Sequence, residues 1–110
     1  KAAGLPWERS KAFTGSALFS DFVAAPESLD RLGIELQVDG SLRQKGDVSL
    51  MLYPPLTILQ ELAQFCQLED YDIVMTGTPA GVGMVQAGEC FQGRILDGEQ
   101  ELVCAEWTAV

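Results

Sequence analysis

Two Asp-Gly dipeptides, Asp39-Gly40 and Asp97-Gly98, each sit between runs of strand-favouring residues, and nothing else in the 110-residue chain limits its fold as tightly. Asp-Gly accepts the positive φ that a two-residue type I′ turn demands, so each pair marks a β-hairpin. Before the first pair, Ile34-Glu35-Leu36-Gln37-Val38 alternates apolar and polar residues, the period of a half-buried strand. Leu42-Arg43-Gln44 follows as its partner. The second pair joins strands near Cys90–Leu96 and Glu101–Trp107. Leu18–Ala24, stopped by Pro26, and Tyr71–Met75 read as two shorter strands, and Ser28–Arg31 reads as a turn. Pro6-Trp7 suggests an extended lead-in.

Between Pro54-Pro55 and Leu68 the period changes. Leu59, Leu62, Ala63 and Cys66 fall at helical spacing, with Ile58 and Phe65 widening the stripe, which predicts one amphipathic helix over about 55–67. Its leading proline is tolerated because first-turn N–H groups have no helical partner. About six strands and one helix give an α+β, mainly β arrangement. One helix cannot cover both faces of such a sheet, so the chain is expected to hold only part of a larger core.

Composition narrows the chemistry. Seven Lys and Arg against 16 Asp and Glu leave a net charge of −9, which argues against nucleic acid and against an anionic membrane as partners. No apolar run approaches the length of a membrane span. The three cysteines, Cys66, Cys90 and Cys104, show no ligand spacing; reduced, buried thiols in a cytoplasmic protein are expected. The amino end lacks both an initiator methionine and the apolar core of a signal peptide, so residue 1 is expected to be an internal point of a longer protein. Histidine is absent, which excludes a Ser–His–Asp triad, a Cys–His pair and a His-ligated zinc within this chain.

The segment most suited to binding is Thr76-Gly77-Thr78-Pro79-Ala80-Gly81-Val82-Gly83. A tight turn of this kind exposes backbone N–H groups beside two hydroxyls, a seat for a carboxylate or phosphate oxygen. It lacks the Gly-Lys-Ser/Thr ending of a phosphate-binding P-loop, and a purely structural turn has the same composition. Lys11, beside Ala12 and Phe13, is either a stabiliser of developing negative charge or a solvated surface lysine. Arg43, with Gln44, either clamps a carboxylate or guards an exposed sheet edge. Glu61, Glu69, Asp70, Asp72, Glu99 and Glu101 form no inward-facing Glu-x-Glu pattern and read as solvated charge.

Taken in order, these pieces resemble the C-terminal part of the fumarylacetoacetate hydrolase family. Gly4-Leu5-Pro6-Trp7 with Lys11-Ala12-Phe13, Val38-Asp39-Gly40 with Arg43-Gln44, and Ser49 with Met51 each resemble a family motif. Asp72-Ile73-Val74 leading into Thr76–Gly83 resembles its long and specific signature. The subgroup it is most similar to holds acylpyruvases and hydroxyheptadienedioate isomerase-like proteins. Thr14, where many members carry Asp, leans toward the acylpyruvase and decarboxylase side, and Tyr71 replaces a usual glycine.

The resemblance implies a mixed β-roll, a homodimer and one Mg²⁺ or Mn²⁺ whose ligands lie upstream of this chain. It implies a substrate that is a small 2-oxo or 2,4-dioxo acid, cleaved, isomerised or decarboxylated through an enolate held at that cation. Lys11 matches the lysine that offsets the enolate charge. Gly77, Thr78 and Pro79 match the carboxylate-binding turn, and Arg43 and Gln44 match positions that order the loop. The 110 residues alone are expected to be inactive without the upstream half. The competing expectation is a noncatalytic β-rich binding or scaffolding module that keeps the carboxylate turn without the metal.

Overall fold

The computed structural model describes residues 8–110, without the side chains of residues 9 and 10; the Pro6-Trp7 lead-in and the Gly4–Trp7 match lie outside them. Four antiparallel strands form one sheet: β1 (Leu32–Val38), β2 (Ser41–Asp47), β3 (Cys90–Asp97) and β4 (Gln100–Thr108), in the spatial order β2-β1-β3-β4. A short helix, α1 (Glu8–Lys11), precedes the sheet. A single 3-10 turn (Val48–Leu50) and the helix α2 (Pro55–Leu62) lie between the two hairpins. The architecture is α+β and mainly β, as the alternation predicts.

Both hairpins form where Asp-Gly stands. Asp39 and Gly40 take φ of +50° and +75°, the pair of positive angles that a type I′ turn requires. The Asp39 backbone N–H donates to the Cys90 carbonyl at 2.9 Å, and the Cys90 N–H donates to Asp39 Oδ1 at 3.0 Å. The first turn is thereby tied to the start of β3. In the second hairpin Asp97 remains in the strand opposite Gln100, and the positive φ falls on Gly98 (+61°), so Gly98 and Glu99 are the central residues.

Strand alternation sorts the sheet into two unlike faces. In register, Leu32, Ile34, Leu36 and Val38 share one face with Phe91, Ile95, Val103, Ala105 and Trp107. Trp107 lies across Gly93, where an added Cβ would come 3.1 Å from the indole. The opposite face is charged: Lys45 Nζ lies 2.7 Å from Glu35 Oε1, Arg94 pairs with the other Glu35 oxygen, and Gln92 donates to Glu106 at 2.7 Å. A face of that composition is stable against water and needs no cover. The Lys45 hydrogen bond, aided by the Lys45 and Arg94 charges, holds the Glu35 carboxyl below its ordinary value.

The apolar face is largely uncovered. Among the described residues only Val38 is buried, and Ile34 and Ile95 on the two central strands keep 40% and 37% of their surface exposed. The chain exposes 9095 Å², whereas a compact monomer of this mass exposes about 6,000 Å². On the sheet itself, the face short of cover is the apolar one.

Several local expectations are corrected. Leu18–Ala24 is irregular rather than a strand, and Phe19 stacks on Phe22 with ring centroids 6.1 Å apart. Residues three apart on a strand point to opposite faces, so that stack excludes an extended run. Tyr71–Met75 is likewise no strand, and Tyr71 takes a left-handed φ of +74°. That angle explains why glycine suits this position and why the tyrosine there is strained. α2 ends at Leu62 rather than near residue 67, and the turn after it closes on the Leu62 carbonyl, which accepts from the Phe65 N–H at 3.2 Å and the Cys66 N–H at 2.8 Å. Phe65 stays 76% exposed, so the last part of the apolar stripe gains little burial to hold it helical. All three cysteines are exposed, not buried; register puts Cys90 and Cys104 on the charged face of the sheet.

Candidate functional site

The segment Thr76–Gly83 crosses the apolar face over β2, the edge strand, and two close approaches hold it there. A Cβ on Gly46 would sit 2.8 Å from the Pro79 ring, and one on Gly81 would overlap the Arg43 carbonyl. Polar contacts complete the crossing. Gln44 Nε2 donates to Thr78 Oγ1 at 3.0 Å and to the Pro79 carbonyl oxygen at 2.8 Å. Sequence reasoning singled out Gln44, Thr78 and Pro79 separately; the structure joins them.

Beside this crossing lies a cavity of about 490 Å³. Its floor is the apolar sheet face at Leu32, Ile34 and Ile95, and one wall is Thr76-Gly77-Thr78-Pro79. A further wall comes from Met51 and Tyr53, in the connection between β2 and α2, and from Pro55 and Ile58 of α2 itself. Apolar walls with one strip of hydroxyls and backbone amides suit a small organic acid, whose carboxylate takes the polar strip while its carbon chain lies on the sheet. Among the described residues, none that lines it is Lys or Arg.

Asp47 also lines the cavity and was missed as a site feature. The Ser49 hydroxyl and then the Ser49 backbone N–H, 2.8 Å from Asp47 Oδ1, hold its carboxyl below the ordinary value. Asp47 thus caps the 3-10 turn with its charge committed to that turn. The Asp-x-Ser spacing is a local capping signal and was open to recognition.

Arg43 is exposed on the edge strand and, with Gln44, lines a second, smaller cavity closed by Gly81–Val85. Lys11, the last residue of α1, is exposed and lines neither cavity. Among the described residues no three His, Cys, Asp or Glu side chains converge to hold a metal ion. The Mg²⁺ or Mn²⁺ that the resemblance implies has no ligand set in them.

Comparison with known proteins places these features. The family model described as "Fumarylacetoacetate (FAA) hydrolase C-terminal" matches residues 1–106. The chain is 39% identical over 97 residues to the mitochondrial oxaloacetate tautomerase of Bos taurus, covering 86% of this chain and 44% of that protein. It is 35% identical over 91 residues to the mitochondrial oxaloacetate decarboxylase of Dictyostelium discoideum, covering 81% of this chain and 42% of the other. A crystal structure of a Yersinia pestis CO92 protein assigned to the fumarylacetoacetate hydrolase family superposes with a TM-score of 0.85 at 31% identity, over 99% of this chain and 49% of that one. The chain spans less than half the length of each of these relatives.

Proposed function

The chain belongs to the fumarylacetoacetate hydrolase family, and on that footing we propose that it supplies the carboxylate-binding wall of an enzyme acting on small 2-oxo and 2,4-dioxo acids. Oxaloacetate is the first substrate to try. The observation that carries the reading is the Thr76–Pro79 strip, clamped by Gln44 at the wall of an apolar cavity.

The names of the relatives fit one chemistry. Tautomerisation of oxaloacetate moves a proton between C3 and the C2 oxygen. Decarboxylation breaks the bond from C3 to the departing carboxylate and leaves the electron pair in the enolate of pyruvate. Both place negative charge on the C2 oxygen, so one site that stabilises that charge serves both. C–C cleavage of an acylpyruvate likewise releases an enolate.

In this reading the Thr78 hydroxyl and the neighbouring backbone N–H groups hold the substrate carboxylate, with Gly77 and Pro79 shaping the turn. Leu32, Ile34 and Ile95 exclude water from its carbon chain. Lys11 offsets the enolate charge, a role that rests on the resemblance alone. A divalent cation, with ligands from polypeptide beyond the described residues, supplies Lewis acidity when bound. The rest of the catalytic domain covers the apolar sheet face, two copies form a homodimer, and the location is the cytoplasm.

The test is turnover of oxaloacetate, acylpyruvates and hydroxyheptadienedioate by the intact protein with Mg²⁺. Thr78→Val is expected to raise KM about 10- to 100-fold, the consequence of losing a hydrogen bond to a charged group. Lys11→Ala is expected to lower kcat about a hundredfold. Unchanged constants in both variants would refute the assignment. Binding of oxo acids without any turnover would support the noncatalytic alternative.

A further inference from the structure

We propose that Gln44 is a positioning residue that sets the direction in which the Thr78 hydroxyl presents its proton. The inference rests on the reading of Thr78 as the carboxylate-holding residue and deepens it.

The argument begins with what each atom can do. Gln44 Nε2 faces Thr78 Oγ1 at 3.0 Å and the Pro79 carbonyl oxygen at 2.8 Å. A carbonyl oxygen only accepts, so the amide must turn its NH₂ group, not Oε1, toward the turn. That group has two hydrogens to give, and both acceptors lie within hydrogen-bond distance of it. Thr78 Oγ1 is therefore a receiver in this pair.

A threonine hydroxyl has one proton and two lone pairs. With one lone pair engaged by Gln44, its proton points away from the amide. Among the described residues Thr78 Oγ1 donates to no other group, and Thr78 lines the larger cavity. The undonated proton is thus available to an anionic oxygen there, and the bond received from Gln44 polarises the O–H and strengthens it as a donor. An acceptor in place of the amide NH₂ would reverse the arrangement. The hydroxyl would then donate toward β2 and turn lone pairs to the cavity, repelling a carboxylate. The Pro79 carbonyl serves as the key that keeps the amide the right way round.

The experiment is a double-mutant cycle on the intact protein, with oxaloacetate as the probe. Gln44→Met, Thr78→Val, the double variant, Gln44→Glu and Thr78→Ser are compared by KM and kcat, with thermal unfolding as the check on folding. Gln44→Met is expected to raise KM about fivefold or more, and more than it lowers kcat. The double variant is expected to match Thr78→Val, because Gln44 acts through a hydroxyl that is already gone. Thr78→Ser retains the response to Gln44→Met. Gln44→Glu, which keeps the shape but accepts from the hydroxyl, is expected to weaken binding beyond Gln44→Met, and it answers the question should Gln44→Met fail to fold.

If the double variant loses the Gln44→Met factor on top of the Thr78→Val factor, Gln44 merely anchors the turn and the proposal is overturned. A Gln44→Glu protein with the parent KM overturns it as well. A Thr78→Val protein with parental kinetics removes the underlying carboxylate assignment too. Loss in Thr78→Val with no effect in Gln44→Met removes the Gln44 role alone.

Discussion

Gly81→Ala is the substitution whose cost can be worked most fully from the structure. Gly81 has a φ of +106°, and a Cβ there would overlap the Arg43 carbonyl on β2. The dihedral term costs about 1–2 kcal/mol for a side chain forced into left-handed space. The overlap is with backbone, which cannot swing aside as a flexible side chain does, and adds about 1–3 kcal/mol of overpacking. The expected loss of unfolding free energy is therefore about 2–5 kcal/mol. Two neighbours provide the scale. At Gly46 the φ is not positive, and a Cβ meets the Pro79 ring at 2.8 Å and Leu50 at an ordinary 3.7 Å, so Gly46→Ala is expected to lose only the overpacking share, about 1–3 kcal/mol. At Gly83 nothing lies within 4 Å of a Cβ, and Gly83→Ala should fall within about 0.5 kcal/mol of the parent. Urea unfolding of the three variants in the intact protein measures the series. Equal stabilities for Gly81→Ala and Gly83→Ala would refute the crossing of the turn over β2.

Other outcomes follow from single residues. Tyr71 holds a φ of +74° while 99% exposed, so Tyr71→Gly relieves about 1–2 kcal/mol of strain and forfeits about 0.4–1 kcal/mol through glycine's freer unfolded chain. A small net gain in thermal midpoint is expected, and a clear drop would contradict the strain. Glu35 has a folded pKa below its ordinary 4.5 because of Lys45 and Arg94. Its contribution is complete above that value and lost as pH falls through the lowered one. Stability of the parent should fall on acidification more steeply than that of Glu35→Gln, as read from urea midpoints at successive pH values; parallel curves would remove Glu35 from the acid limb.

The sheet was legible because its signals are local. Two Asp-Gly dipeptides locate both hairpins, although the second turn centres on Gly98-Glu99, and the alternation of Ile34–Val38 sorts the faces without knowledge of anything distant. The corrected elements all depend on partners. Leu18–Ala24 has strand composition but pairs with no strand of the sheet, and α2 stops at Leu62, ahead of a Phe65 that stays 76% exposed. The site was half legible. Motif matching picked out Arg43-Gln44 and Thr76–Gly83 as separate pieces, yet the bond from Gln44 to Thr78 spans 34 residues of sequence and no local pattern encodes it. Lys11 shows the limit from the other side, since its motif is clear and it lines neither cavity.

A crystal structure of the intact protein soaked with oxalate or pyruvate tests the central claim most directly. The account predicts a carboxylate oxygen about 3 Å from Thr78 Oγ1, over the Leu32–Ile34 floor, with Gln44 still donating to Thr78 from behind. A carboxylate seated elsewhere, with the Thr76–Pro79 strip left facing an unchanged cavity, would contradict it.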